Sequence, residues 1–446
     1  MSADTLLCLP IARTTFDLAL AQELAEAARR RLSEAGFSIV GPTELLTDHE
    51  AIEESSRNWA HAGHPYAVVL QTTFADSTLV NLIADKLTVP LLLWGFPEAP
   101  TGERLRLNSF CGINLAAHSL TLRGHPYSHL YALPDDPEVP SQIAAFSSAA
   151  RAYSHLRQAR LGVLGEHPPG MDSCHLDTTA LEGQLGVEVE TLDLKKTLQA
   201  SSDWNSPEAL ATYQQLSTSL ENLADLDQQK VLGTLTVFQS LERLAKDHNL
   251  DGIAVRCWPE FFTDLGCAAC GALSMLADRR IACSCEADAN GTITQMLLGW
   301  LSGQASFGVD MVYFDRQADR CVLWHCGLAP LSTADPTFKP RGALHSNRQV
   351  PLVMEFPLKP GRVTLARLSR ASGSLQMVIA GGEMLSAPLS FSGTSGVLRF
   401  DRPAEEVLDT ILQKGLEHHI SLTYGDHQQS LEQIARWLNI PIFQLT

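Results

Sequence analysis

Asp251-Gly-Ile-Ala-Val-Arg-Cys-Trp-Pro-Glu-Phe261 is a short apolar strand that runs into a Trp-Pro-Glu turn. Open α/β sheets bind ligands beyond the carboxyl ends of their strands, so the turn sets Glu260 where a site belongs. A second apolar run, Ile281-Ala-Cys-Ser-Cys285, leads directly into Glu286-Ala-Asp-Ala-Asn-Gly291, and a helical pattern over residues 270–278 lies between the two. Strand, helix and strand in that order make parallel neighbours. Two consecutive strands therefore deliver a carboxylate to the same sheet edge, with Asp288 beside the second. One such carboxylate reads as an ordinary loop residue; two on consecutive strands read as a shared site.

The same alternation extends in both directions. Apolar runs at residues 6–11, 37–40, 66–71 and 89–94 alternate with helical spacing at 16–35 and 76–87, the first helix ending at Gly36. The segment Leu133-Pro-Asp-Asp-Pro-Glu-Val-Pro140 reads as a connection, after which residues 141–157, 160–165, 178–186, 187–192 and 234–248 repeat the strand–helix pattern. From about residue 340 the texture changes to short strands at 352–356, 363–369, 374–380 and 396–400 with Gly, Pro and Ser between them, an antiparallel meander. Helical spacing returns at 404–412 and 429–438. The chain thus reads as an α/β protein. We expect an N-terminal α/β domain over 1–158, a central α/β domain over 159–338 that carries the acidic residues, and a β-rich domain with terminal helices over 339–446.

The chain has 446 residues, with 33 Lys and Arg against 50 Asp and Glu, a net charge of −17. No clustered Lys and Arg run exists to neutralise phosphates, so nucleic acid is excluded as a partner. The strongest apolar stretch, residues 89–96, falls far short of the roughly 20 residues that span a bilayer, so a membrane partner is excluded as well. The opening Met1-Ser-Ala-Asp-Thr5 carries no basic segment followed by an apolar core. A cytoplasmic location is expected, with the 10 cysteines as thiols.

Histidines add to the carboxylates. Trp324-His-Cys-Gly327 follows an apolar run, and Glu417-His-His-Ile420 precedes the strand-like residues 421–424. A lone His325 reads as a core histidine and a His418-His419 pair as a surface feature; together with Glu260 and Glu286 they read as hard oxygens and imidazoles suited to Mn²⁺, Co²⁺ or Mg²⁺. The thiols Cys267, Cys270, Cys283 and Cys285 compose a competing zinc set. Their spacing, with one residue between the second pair, is tighter than that of zinc ribbons, and burial at a helix–strand contact accounts for them. No dinucleotide fingerprint, phosphate loop or serine elbow is present. Arg13 and Trp94 lie past strand ends in the first domain, placed to touch a ligand or to pack their loops.

The set Arg-Cys-Trp-Pro-Glu260, Cys-Glu286-Ala-Asp288-Ala-Asn-Gly, Trp-His325-Cys-Gly and Glu-His-His419-Ile with Tyr-Gly-Asp426 resembles the L-fucose isomerase-like family, related to L-arabinose isomerase. The resemblance covers essentially the whole chain and is strongest over residues 250–330 and 415–427. It implies two Rossmann-like α/β domains followed by a β-rich, barrel-like domain. The implied activity is aldose–ketose isomerisation with one divalent cation, usually Mn²⁺, with Co²⁺ or Mg²⁺ as alternatives. Carried over, Glu260 and Glu286 are the metal-holding and proton-moving acids, with Asp288 open as the second ligand in place of Glu286. His419 and His325 are further ligands, and Arg13, Trp94, Trp258, Asp288 and His418 face the substrate. Relatives that act on sulfoquinovose make an anionic sulfo- or phospho-sugar an option beside a neutral one, with Arg13, Arg256 and Arg341 as cation suppliers. The family also implies a homo-oligomer with sites near subunit contacts. A non-catalytic sugar-binding protein and a zinc-stabilised structural protein are the readings to be separated from this one.

Overall fold

A computed structural model describes residues 5–446, and its contacts divide the chain into two compact units, the border falling between Ser154 and His155. Residues 1–4, on which the expectation about a leader rests, lie outside the described residues.

The first unit is a five-stranded parallel sheet of β1 (Thr5–Ile11), β2 (Ser38–Val40), β3 (Ala67–Gln71), β4 (Leu91–Gly95) and β5 (Tyr127–Tyr131), in the order β2-β1-β3-β4-β5. Residues Leu6, Leu7, Leu9, Val68, Val69, Leu70, Leu91 and Leu93 are buried, as expected when helices cover both sheet faces. Aspartates start three of the helices: Asp17, Asp48 and Asp76 accept backbone N–H groups of Leu20, Ala51 and Thr78. Each such cap is worth about 1 kcal/mol. The strand order reverses between β1 and β3. There the backbone N–H of Arg13 donates to Thr73 Oγ1 at 2.8 Å, so Arg13 stands at the crevice where open sheets of this order take ligands.

The second unit opens with a four-stranded parallel sheet, β6 (Arg160–Leu164), β7 (Glu188–Leu192), β8 (Gly252–Val255) and β9 (Ala282–Ser284), in the order β7-β6-β8-β9. Its remaining strands are β10 (Phe307–Asp315), β11 (Arg320–His325), β12 (Arg341–Ala343), β13 (Val353–Pro357), β14 (Gly361–Ser369), β15 (Gln376–Leu385), β16 (Thr394–Phe400), β17 (His419–Tyr424) and β18 (Ile442–Gln444). Six of them close a barrel, β16-β11-β10-β17-β14-β15 and back to β16. Closure removes the sheet edges that an open meander would expose. The ladder is not wholly antiparallel, because β13 joins β16 and β18 joins β15 in parallel register. Two barrel strands, β10 and β11, precede residue 338 in the chain. The buried helix Ala289–Ser302 touches β8 and β9 of the sheet and β14 and β17 of the barrel, and so ties the two layers together. Among the described residues no helix is long and apolar enough to cross a membrane.

Candidate active site

Glu286 stands just past β9 in a turn that requires unusual backbone angles. Its φ is +59° and that of Ala287 is +55°, a left-handed conformation that costs roughly 1–3 kcal/mol for a residue with a side chain. The turn is held by two hydrogen bonds: Ala287 N–H donates to Val255 O at 3.0 Å and Asp288 N–H to Cys285 O at 3.1 Å. The chain then enters the helix Ala289–Ser302, whose N-terminal Gly291 N–H donates to Asp288 Oδ1 at 2.9 Å. This left-handed turn aims the Glu286 carboxylate out of the sheet edge while Asp288 turns inward.

Asp288 is 1% exposed and pairs with Arg367 of β14, itself 3% exposed. The pair is bidentate, Nη1 to Oδ2 at 2.6 Å and Nη2 to Oδ1 at 3.1 Å, and Nη2 also donates to Ser173 O at 3.0 Å. Burial pushes the Asp288 carboxyl up, but the Arg367 charge and the hydrogen bond from His419 outweigh it and hold the group well below the usual carboxylate range. The side chain therefore caps a helix, neutralises an arginine and orients an imidazole. In this arrangement its oxygens are occupied by Arg367, His419 and the helix N-terminus.

His419 is the residue on which the site converges. Its Nδ1 lies 3.1 Å from Asp288 Oδ2, which leaves Nε2 turned to the other side. There Nε2 lies 3.6 Å from Asp310 Oδ1 and 3.9 Å from Glu286 Oε2. Asp310 comes from β10, where it is directly opposite His419 on β17 and Trp324 on β11; a break in register follows between Met311 and Tyr313. Paired residues on neighbouring strands share a face, so this register alone brings Asp310 to the imidazole. Asp310 Oδ1 is buried without a hydrogen-bond partner among the described residues. His418 flanks the group, with Nε2 3.3 Å from Glu286 Oε2 and Nδ1 3.0 Å from Ser173 Oγ. The Glu286 hydrogen bond raises the His418 pKa above its ordinary value despite burial. Burial raises that of Glu286, yet the His418 hydrogen bond, the His419 charge and the Trp258 indole together leave it lowered. Trp258 contributes through Nε1–H, which donates to Glu286 Oε1 at 3.2 Å.

His325 is a different kind of histidine. Its Nδ1 accepts the Cys326 backbone N–H at 2.8 Å, so in a neutral ring the proton sits on Nε2, which faces Cys285 Sγ at 3.1 Å. Burial pulls its pKa down to about 4. A histidine that ligates through Nε2 carries its proton on Nδ1 and gives it to an acceptor. His419, with Asp288 behind it, meets that condition; His325, with a donor behind it, does not.

The donor set fits a divalent cation. Two carboxylate oxygens sit within 4 Å of His419 Nε2, one of them otherwise unpartnered, with Cys285 Sγ at 3.8 Å; Glu286 and Asp310 join His419 in separate groups of converging donors, so one octahedral ion on all three, with ligands at about 2.1 Å, requires these side chains to close in. Mixed oxygen and imidazole donors suit Mn²⁺ and its neighbours. Asp310 was not among the expected residues. The signal for it was an acid inside the apolar run Phe307-Gly-Val-Asp310-Met, which only strand pairing turns into a site residue.

Glu260 lies past β8, where both its oxygens accept from Arg256 Nε at 2.9 Å. Its carboxylate is not in the groups of converging donor atoms that contain His419. Arg256 is thereby committed to Glu260 and to the Glu166 carbonyl. Trp94 is a core residue of the first unit, 0% exposed, with its indole N–H on Ala132 O at 2.9 Å; Arg13 in the same unit pairs with Asp76 at 3.5 Å. The four thiols of the competing zinc set are dispersed. Burial pushes Cys267 and Cys283 up to about 12, Cys285 faces His325, and Cys270 lies 3.4 Å from Cys326.

Comparison with known proteins bears directly on this arrangement. A family model described as fucose/sulfoquinovose isomerase, N-terminal domain, matches residues 8–157, and one described as L-fucose isomerase, C-terminal domain, matches residues 323–446. A sulfoquinovose isomerase of Alkalicoccus urumqiensis is 30% identical over 443 residues, 99% of each chain. Sulfoquinovose isomerases of Priestia aryabhattai and of Clostridium sp. (strain MSTE9) are each 28% identical, again over 99% of each chain. With this likeness running from end to end and a cluster of carboxylates and imidazoles at the sheet edge, the chain belongs to the L-fucose isomerase-like family and is an aldose–ketose isomerase.

Proposed function

We propose that this chain interconverts an anionic sulfo-aldose, with sulfoquinovose the first candidate, and the corresponding ketose, using a divalent cation, Mn²⁺ first, held by His419, Glu286 and Asp310. The observation that supports the reading is the convergence of Glu286 and the unpartnered Asp310 oxygen on His419 Nε2. The relatives' names support the substrate class. When bound, the cation supplies Lewis acidity to the sugar's O1 and O2 and stabilises negative charge on an enediolate.

The protein groups supply orientation and proton transfer. Isomerisation moves a proton between C1 and C2 and another between their oxygens. Glu286, held ionised by His418, His419 and Trp258, is the general base at carbon; Glu260, fixed by Arg256, serves the same reaction from the next strand end. His418, supported by Ser173, hydrogen-bonds the sugar oxygens. Asp288 acts as a positioning residue that sets the His419 tautomer, and His325 as a neutral donor rather than a ligand. A cleft of about 480 Å³ beside His418, lined by Ser173, Asn290, Arg370 and Glu417, gives the sugar room.

A sulfonate needs a cation. Arg256 is occupied by Glu260, and Arg370 in the cleft wall is tied to Asp177 at 2.6 Å. Arg348 is exposed and has no ion pair among the described residues; its guanidinium lies 6.0 Å from the Trp258 ring and 5.7 Å from that of Phe262. Trp258 thus touches Glu286 by its edge and Arg348 by its face, and we assign sulfonate binding to Arg348. We extend the proposal to a homo-oligomer in which Arg13 of one copy reaches the sugar in another.

The test is turnover in D₂O with metal-stripped protein, adding Mn²⁺, Co²⁺, Mg²⁺ or no metal, on sulfoquinovose and on glucose. Deuterium at C1 of a sulfo-ketose, dependent on added cation, is the expected result. Product without deuterium would point to internal hydride transfer, and turnover undiminished by metal removal would overturn the cation assignment.

A further inference from the structure

A second group of soft donors lies apart from the carboxylate cluster. Cys270 is the first residue of the buried helix Cys270–Asp278, Cys326 follows β11 directly, and His345 stands in the loop after β12. Their sulfur and nitrogen atoms lie within 4.8 Å of one another, and the two sulfurs are 3.4 Å apart. Three segments separated by 56 and 19 residues therefore meet in one small volume. We propose that Cys270, Cys326 and His345 form a second metal site, selective for a soft tetrahedral ion such as Zn²⁺, with an open fourth position.

The distances carry the proposal. Around tetrahedral Zn²⁺, sulfur at about 2.3 Å and nitrogen at about 2.0 Å place neighbouring donors roughly 3.5–3.8 Å apart. The sulfur pair is already close to that spacing. A disulfide needs about 2.05 Å instead; at 3.4 Å the two thiols share a hydrogen bond, which a metal would displace. The ring of His345 is set edge-on against Phe262, with centroids 5.1 Å apart and planes at 79°, and its Nδ1 accepts the Asn347 N–H at 3.3 Å, so the neutral ring keeps its lone pair on Nδ1 and ligation through that nitrogen replaces this long bond. Oxygen donors are absent from this trio, and sulfur prefers Zn²⁺ over Mn²⁺ or Mg²⁺. The two sites therefore sort ions by softness.

Co²⁺ reports the difference. In a tetrahedral sulfur site it gives intense visible bands and thiolate charge transfer, while in an octahedral oxygen–imidazole site it is pale. Metal-stripped full-length protein titrated with Co²⁺ should develop the intense bands at one equivalent, and Zn²⁺ should bleach them. Cys270→Ser and His345→Ala should each lose the bands, whereas Cys111→Ser, at an exposed thiol of the first unit, and Glu286→Gln should keep them. Circular dichroism and melting temperature check that each variant is folded. The proposal fails if no charge transfer appears or if the bands survive Cys270→Ser in folded protein. It fails too if they vanish only in Cys285→Ser, which would place the ion on Cys285, His325 and His419, or if thiol counting shows a Cys270–Cys326 disulfide in the reduced preparation.

Discussion

Replacing Arg367 with methionine removes the guanidinium buried against Asp288 while keeping a side chain of similar length. Asp288 and Glu417, 1% and 8% exposed, are both left facing the vacated position, and Asp288 loses two hydrogen bonds of 2.6 and 3.1 Å. Breaking a buried pair from one side costs about 3–5 kcal/mol, because the surviving charge stays desolvated. The second unit is larger than the domains for which 1 kcal/mol moves Tm by 2–4 °C, so the low end of that scale applies and Tm should fall by roughly 6–10 °C. The loss has a sign in pH. In the parent protein the Asp288 pKa is held below its unfolded value, so the pair's contribution is present above the unfolded carboxylate pKa and is lost as pH falls through the lower folded value. Without Arg367 the folded pKa rises, and the variant's deficit shrinks as pH falls because Asp288 takes up a proton. Urea titrations at pH 8 and pH 5 read this directly, and Asp288→Asn combined with Arg367→Met should recover much of the single-variant loss. A midpoint corresponding to less than about 1 kcal/mol of destabilisation, or a double variant no more stable than Arg367→Met, refutes the reasoning. Turnover should also drop by roughly 10–100-fold, since the Asp288 that orients His419 is no longer held.

Further outcomes follow from the same geometry. Glu286→Gln should abolish isomerisation and, by replacing the carboxylate beside His418 with a neutral amide, lower the His418 titration midpoint seen by NMR; an unchanged midpoint would contradict the contact. In metal-free protein, His325 is neutral with a pKa of about 4 against 6.5 unfolded, so its contribution is present above pH 6.5 and lost as pH falls toward 4. That window is worth about 3 kcal/mol at most, and His325→Asn should flatten it. Asp310→Asn should weaken Mn²⁺ binding measured by electron paramagnetic resonance at least tenfold with little change in Tm; unaltered affinity would remove Asp310 from the ligand set. Arg348→Met should raise KM for sulfoquinovose more than tenfold and leave kcat/KM for an uncharged aldose nearly unchanged, whereas the same pattern in Arg370→Met would move the sulfonate to the cleft wall.

The strand ends were legible because their chemistry is local. An apolar run followed by Trp-Pro-Glu or by Glu-Ala-Asp announces a carboxylate at a sheet edge whatever the run packs against, and β8, β9, Glu260 and Glu286 were placed on that basis. The helix Ala289–Ser302 has no counterpart among the helical stretches read from the sequence. It is buried on nearly every side, so its apolar residues have no helical stripe to reveal it. The acidic excess proved partly local as well, since Asp17, Asp48, Asp76, Asp177, Asp193 and Asp227 each cap a helix.

Residue type and spacing by themselves determined the α/β order, the antiparallel β texture of the last third and the presence of carboxylates and histidines suited to a divalent ion. Tertiary structure decided what each of them does. Asp310 meets His419 only because β10 and β17 pair in that register, and Asp288 is paired in the interior only because Arg367 reaches it from β14. His325 and His419 look alike as letters, yet one has a backbone donor behind its ring and the other a carboxylate. Local sequence fixes which groups are present, but a proton's position and a ligand's readiness depend on the partner each ring meets, and for His419 that partner is the helix-capping Asp288, 131 residues away in the chain.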